Sequence, residues 1–198
     1  MRVVRLVLRL SCLALAGCAS LTPPQQASLG EVHALVDTTT RAYGLRPVYV
    51  LVGSDVAGVG GSYRGGLLTV STPMLLSRYR DALVAHELAH YVLGHDRPLH
   101  GSALEASREQ EQRELDANAT AVEILVRGRR SPDAALGLVY DYLLAFHRLV
   151  SANATVVPWG HRPPCDEIAD LLERFPAQRA WTAALPCASP RRDAAHRP

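Results

Sequence analysis

The sequence contains no lysine: all 21 basic residues are arginine, a bias that reflects gene base composition and says nothing about function. It also lacks a charge excess. A formal net charge of +2 over 198 residues makes no field for a polyanion, so nucleic acid is excluded as a partner. Beyond the first eighteen residues no apolar run is long enough to span a bilayer as a helix. No segment recurs at a fixed period, which excludes a solenoid or propeller. Cysteine is scarce, with four in all. What is present is ordinary: 48% hydrophobic and 20% charged residues, the composition of a globular protein long enough for one well-packed domain and short for two.

The first eighteen residues, MRVVRLVLRLSCLALAGC, stand apart. Three arginines, a short apolar run and small residues make a secretory signal. Its end, Leu15-Ala16-Gly17-Cys18, resembles a bacterial lipobox. That resemblance implies a signal peptide over 1–17, removed before a Cys18 that carries the lipid; an ordinary cleavage with unmodified Cys18 is the alternative. Ala19 in place of Asp then implies the periplasmic face of the outer membrane, with the lipid as the membrane contact. Loss of the three arginines Arg2, Arg5 and Arg9 turns +2 into −1. Residues 18–28 read as a tether stiffened by Pro23-Pro24, 29–187 as the folded domain, and 188–198 as a disordered tail. Cys12 leaves with the signal and Cys18 with the lipid. Cys165 and Cys187 remain, an even pair expected to form a disulfide in an oxidising compartment, with two free thiols as the alternative.

Along the domain, Val32, Leu35 and Val36 recur at helical spacing from Leu29 to Arg41, with Gly44 as the stop. PVYVLVG (47–53) reads as a strand, GVGGSYRGG (58–66) as loop, and LLTVST (67–72) as a second strand. Thr72-Pro73 opens one helix or two, plainly helical by Asp81 and broken by Gly94 and Pro98. Helices follow at 102–127, from Ser131-Pro132-Asp133 to about Val150, and after the loop 153–164 to Phe175. Many helices with two or three strands predict an α+β fold, mainly α.

The chemistry centres on HELAHYVLGH (86–95). In a helix His86 and His90 project from one face one turn apart, so two imidazoles can converge on one ion, and Glu87 lies beside them. This is the HExxH arrangement: two zinc ligands and a general base. A catalytic zinc needs a third protein ligand and an open position for water, whose pKa it lowers to about 7. The alternative is a half-buried amphipathic helix with satisfied histidines, keeping Val84, Leu88, Tyr91 and Val92 for the core. RELDANATAVEIL (113–125) offers the third ligand. Glu114 and Asn118 share a face, and the Asn118 amide oxygen can accept an imidazole N–H and fix its tautomer. Spacing alone leaves Glu105, Glu109, Glu111 and Glu114 open. His95, about half a turn off the ligand face, is a poor ligand and reads as structural or as a helix-end imidazole suited to the dipole.

GGLLTVSTPMLLSRYRDALVAHELAHYVLGH resembles the strand–helix–HExxH core of the gluzincin endopeptidases that include HtpX and the CAAX prenyl endopeptidases. The resemblance extends to an E-x-x-A-D helix at RELDANATAVEILVRG and to a late histidine segment at WGHRPPCDEIADLL. It implies a zincin-like metalloprotease domain with a small sheet beside the HExxH helix, one Zn2+ per chain held by His86, His90 and Glu114, and His161 at the site, either stabilising the oxyanion or occupying the open metal position. A surface-loop histidine is the alternative for His161. Asn118 departs from that family and resembles instead the ImmA/IrrE peptidases, whose helix reads E-x-x-A-N. An arginine usual after the late segment is replaced near Glu167. The expected function is a zinc metalloendopeptidase of the bacterial envelope acting on peptides or unfolded protein, with a silent envelope adaptor or chaperone as the rival. LLTVST is the candidate edge strand for pairing with an extended substrate.

Overall fold

The structure, a computed structural model, describes residues 21–53, 60–152 and 160–178. Cys18, the signal segment 1–17, Cys187 and the tail 188–198 lie outside the described residues. The chain is α+β and mainly α, with a three-stranded sheet beside the helix that carries the HExxH residues. It has the architecture of a zincin-like peptidase domain.

Helix α1 runs Pro23–Ala42, so it takes up most of the stretch read as a tether. The prolines explain the difference. Both sit in the first turn, where a missing N–H costs nothing, and Gln25 Oε1 accepts from Thr22 N at 2.8 Å to close the cap. Strands β1 (Tyr49–Gly53), β2 (Gly61–Arg64) and β3 (Leu67–Ser71) form a sheet in the order β1-β3-β2. β1 runs parallel to β3, and β2 antiparallel to it. LLTVST is therefore the central strand and not an edge. The edge beside the site is β2, cut from the glycine-rich segment read as loop. Gly65 and Gly66, at φ 57° and 87°, make the two-residue turn whose backbone twist suits a tight hairpin and which other residues resist.

Ser71 caps the short helix α2 (Thr72–Leu75), its hydroxyl accepting from Met74 N. Then come α3 (Arg80–Val92), α4 (Ala103–Arg127), α5 (Pro132–Ala152) and α6 (Pro164–Arg174), followed by a 3-10 turn at Pro176–Gln178. Helix α4 opens with a reciprocal cap between Ser102 and Glu105. Leu68 and Val70 of β3 are fully buried, as are Ala82, Leu83, Val84, Ala85, Leu88 and Ala89 of α3. The face of α4 within this core carries Ala117 and Ala121. Small side chains on both helices allow close approach, and α3 packs more extensively on α4 than on any other element. That packing brings the HExxH face against Glu114 and Asn118. Tyr91, expected in the core, is half-buried and stacks on Tyr63 at 5.0 Å between ring centroids. Among the described residues no helix is long and apolar enough to cross a membrane.

Candidate metal centre

His86 and His90 stand one turn apart on α3 with their Nε2 atoms 3.2 Å from each other. From α4, Glu114 Oε2 lies 3.2 Å from His86 Nε2 and 3.4 Å from His90 Nε2. A tetrahedron with metal–ligand bonds of roughly 2.0–2.1 Å has edges of about 3.3 Å. The three donor atoms thus outline one face of a zinc tetrahedron, and the chemistry of the set, two imidazoles and one carboxylate, suits that ion. Glu105, Glu109 and Glu111 are not part of this cluster. The donors line a cleft of about 790 Å³ together with Glu87, His95, Gln110, Tyr142 and His161.

Each donor is held from behind. His86 Nδ1 bonds Asn118 Oδ1 at 2.9 Å, and His90 Nδ1 meets His95 Nδ1 at 3.0 Å. With the outer nitrogens donating, Nε2 is the atom of each neutral ring that presents a lone pair to the cleft, the tautomer being assigned from the network. Gln110 Nε2 donates to Glu114 Oε1 at 2.7 Å, leaving Oε2 for a metal. Glu87 Oε2 accepts from the Tyr63 backbone N–H at 2.8 Å, which anchors the base to the edge strand. From α6, Glu167 Oε1 bonds His161 Nδ1 at 3.0 Å, and His161 Nε2 lies 3.8 Å from Glu114 Oε2. The ring of Phe146 packs against His161 at 5.4 Å, and that of Tyr142 lies 6.3 Å from His86, so α5 walls the far side.

Electrostatics point the same way. Burial disfavours a charged His86, but the Glu114 carboxylate outweighs it, with Glu87 and Glu167 adding, and the imidazole is pushed up to about 9. Burial likewise works against an ionised Glu114, yet His86 and His90 hold its carboxyl far below the usual range. So much negative potential gathered around two imidazoles favours a cation at their centre. Burial, then His90 and Arg113, push His95 down to about 4, so it is neutral and its Nδ1 can accept from His90. Burial opposes the charged form of His161, but Glu167 and Glu114 raise it overall. The Tyr142 phenol is pushed up by burial and by Glu87, Glu114 and Glu167, and keeps its proton.

The model of the peptidase family M78, the IrrE N-terminal-like domain, matches residues 62–156. The matched stretch holds the HExxH helix, Glu114 and Asn118, and supports a metallopeptidase-like fold. It supports the ImmA/IrrE resemblance carried by Glu114 and Asn118, and not the one to HtpX and the CAAX endopeptidases. His161 and α6 lie beyond the matched stretch. No curated protein and no solved structure matches the chain.

The fold thus brings together His86, Glu87, His90, Glu114, Asn118 and His161, all singled out from sequence. Cys165, on the first turn of α6, is disulfide-bonded; its expected partner Cys187 is outside the described residues. Three contributors were missed, Gln110, Tyr142 and Glu167, while His95 keeps the structural part read for it. Gln110 sits one turn before Glu114, a spacing that could have revealed it, and His95 turns out to back His90. Tyr142 lines the cleft from α5, Glu167 bonds Asn118 and His161 from α6, and no spacing signals either.

Proposed function

We propose that this protein is a zinc-dependent metalloendopeptidase, its metal held by His86, His90 and Glu114. The reading rests on the triangle of donor atoms with Glu87 beside it, a base that a purely structural metal site does not need. Bound there, zinc would polarise a peptide carbonyl and acidify water. Glu87, positioned by the Tyr63 amide, takes the proton from the attacking water and returns it to the leaving nitrogen. His161 and Tyr142 are the candidate donors to the carbonyl oxygen as negative charge grows on it.

The substrate is held in extended form. The Tyr63 amide points to Glu87 and away from β3, so by the alternation of a strand the Gly61 backbone faces the same side. With the Tyr63 N–H occupied, Gly61 N–H and C=O and Tyr63 C=O remain to pair with a peptide. Backbone recognition of this kind suits unfolded protein. The experiment is zinc content and casein cleavage for the wild type and Glu87→Gln. The variant should keep its zinc and lose about 100-fold or more in kcat/KM. A wild type that holds zinc and cleaves nothing would sink the reading in favour of an adaptor.

We further propose an envelope location with lipid on Cys18, motivated by the signal-like N-terminus and in keeping with a bonded Cys165 in an oxidising compartment. Cys18→Ser should release the protein from membranes; unchanged fractionation would refute the anchor.

A further inference from the structure

Helix α6 lies outside the stretch matched by the family model, yet one of its side chains bonds Asn118, which backs the metal donor His86. Glu167 is 1% exposed, and a buried carboxylate is costly unless donors surround it. It has three: Asn118 Nδ2 at 3.3 Å on Oε2, and His161 Nδ1 at 3.0 Å and Arg162 N at 3.1 Å on Oε1. An ionised carboxylate only accepts. Asn118 must therefore turn its Nδ2 to Glu167, which leaves Oδ1 for His86 at 2.9 Å. Oδ1 in turn requires the proton on His86 Nδ1, so in the neutral ring, the form that can take a metal, Nε2 carries the lone pair toward the cleft. The same carboxylate takes the Nδ1–H of His161 and so turns its Nε2 toward Glu114.

We propose that Glu167 is a positioning residue of the metal centre: through Asn118 it sets the tautomer of the ligand His86, and directly, through Nδ1–H, it orients His161. The inference rests on the metal site proposed above. It accounts for an amide at position 118, because an aspartate there would place a second carboxylate about 3.3 Å from Glu167, where two like charges repel. Helix α6 is accordingly part of the site and not a peripheral addition.

The test is zinc affinity of the full chain, measured by competition with a chelating indicator. In Glu167→Gln the new amide can satisfy Asn118 or His161 but not both, and zinc should bind about 10- to 100-fold more weakly, as when outer partners of ligands are lost. Asn118→Asp should weaken zinc at least as much. The double variant Asn118→Asp with Glu167→Gln restores an amide facing a carboxylate with the roles exchanged, and should recover most of that loss. Losses that add instead of cancelling, or wild-type affinity in Glu167→Gln, overturn the proposal. A direct reading comes from long-range 1H–15N spectra of the imidazoles in the wild type. Protons on Nδ1 of His86 and His161 are expected, and a proton on His86 Nε2 alone in the metal-free chain would refute it without any variant. Zinc bound without proteolysis would sink the peptidase reading and leave this one standing; proteolysis without the rescue would do the reverse.

Discussion

His86 carries the clearest consequence at the scale of one residue. With Glu114 against its Nε2 and burial opposing, it is held at about 9 in the metal-free chain, so the site keeps a proton that zinc must displace. From pH 7 to 9, zinc affinity should rise about tenfold per unit and level off above that. Calorimetry in buffers of different ionisation heat should find close to one proton released at pH 7.5; none released would refute the assignment. For the metal-free fold the sign is opposite. A raised pKa contributes stability that is fully present below the unfolded value near 6.5 and is lost as pH rises through about 9, so urea midpoints of the metal-free chain should fall over that window. Much of this centre was legible, since HExxH and E-x-x-A-N are local spacings on single helices. His95 shows the limit: helical geometry says only that it leaves the ligand face. That it meets His90 through Nδ1 depends on the chain having turned at Gly94, at φ 67°.

Elements were legible where periodicity was strong and failed where glycine removed it. The helices of the core carry apolar residues three and four apart, and their boundaries differ from expectation mainly at the caps. GVGGSYRGG has no alternation to read, because Gly60 and Gly61 present no side chain. The structure gives the reason: a Cβ on Gly61 would meet the Thr69 carbonyl oxygen at 2.8 Å and Leu83 Cδ2 at 2.9 Å, so only glycine lets β2 lie this close to β3 and α3. Gly61→Val should push the strand outward, taking the Tyr63 amide off Glu87. The expected result is a fall in kcat/KM with zinc content unchanged, and about 1–3 kcal/mol of lost stability from overpacking. Unaltered turnover in a folded variant would mean that β2 does not position the base.

At the scale of the whole molecule, the donors belong to two helices that build the core, with His86 and Glu114 each only 6% exposed. An unfolded chain cannot gather these atoms, so zinc should stabilise the native state by mass action, about 2.7 kcal/mol at a free concentration of 100 Kd. For a domain of this size that is a rise in Tm of roughly 5–10 °C. Differential scanning fluorimetry should show it in the wild type and not in Glu114→Ala; an equal rise in both would place the zinc elsewhere.

The packing of α3 on α4 also fixes an order of events. The donor triangle is drawn by alanine contacts and by Asn118, Gln110 and His95, all of them groups of the chain itself. The scaffold therefore comes first and the metal second. Loading of the folded, metal-free chain should be a simple encounter whose observed rate grows linearly with zinc concentration, with no slow step inherited from folding.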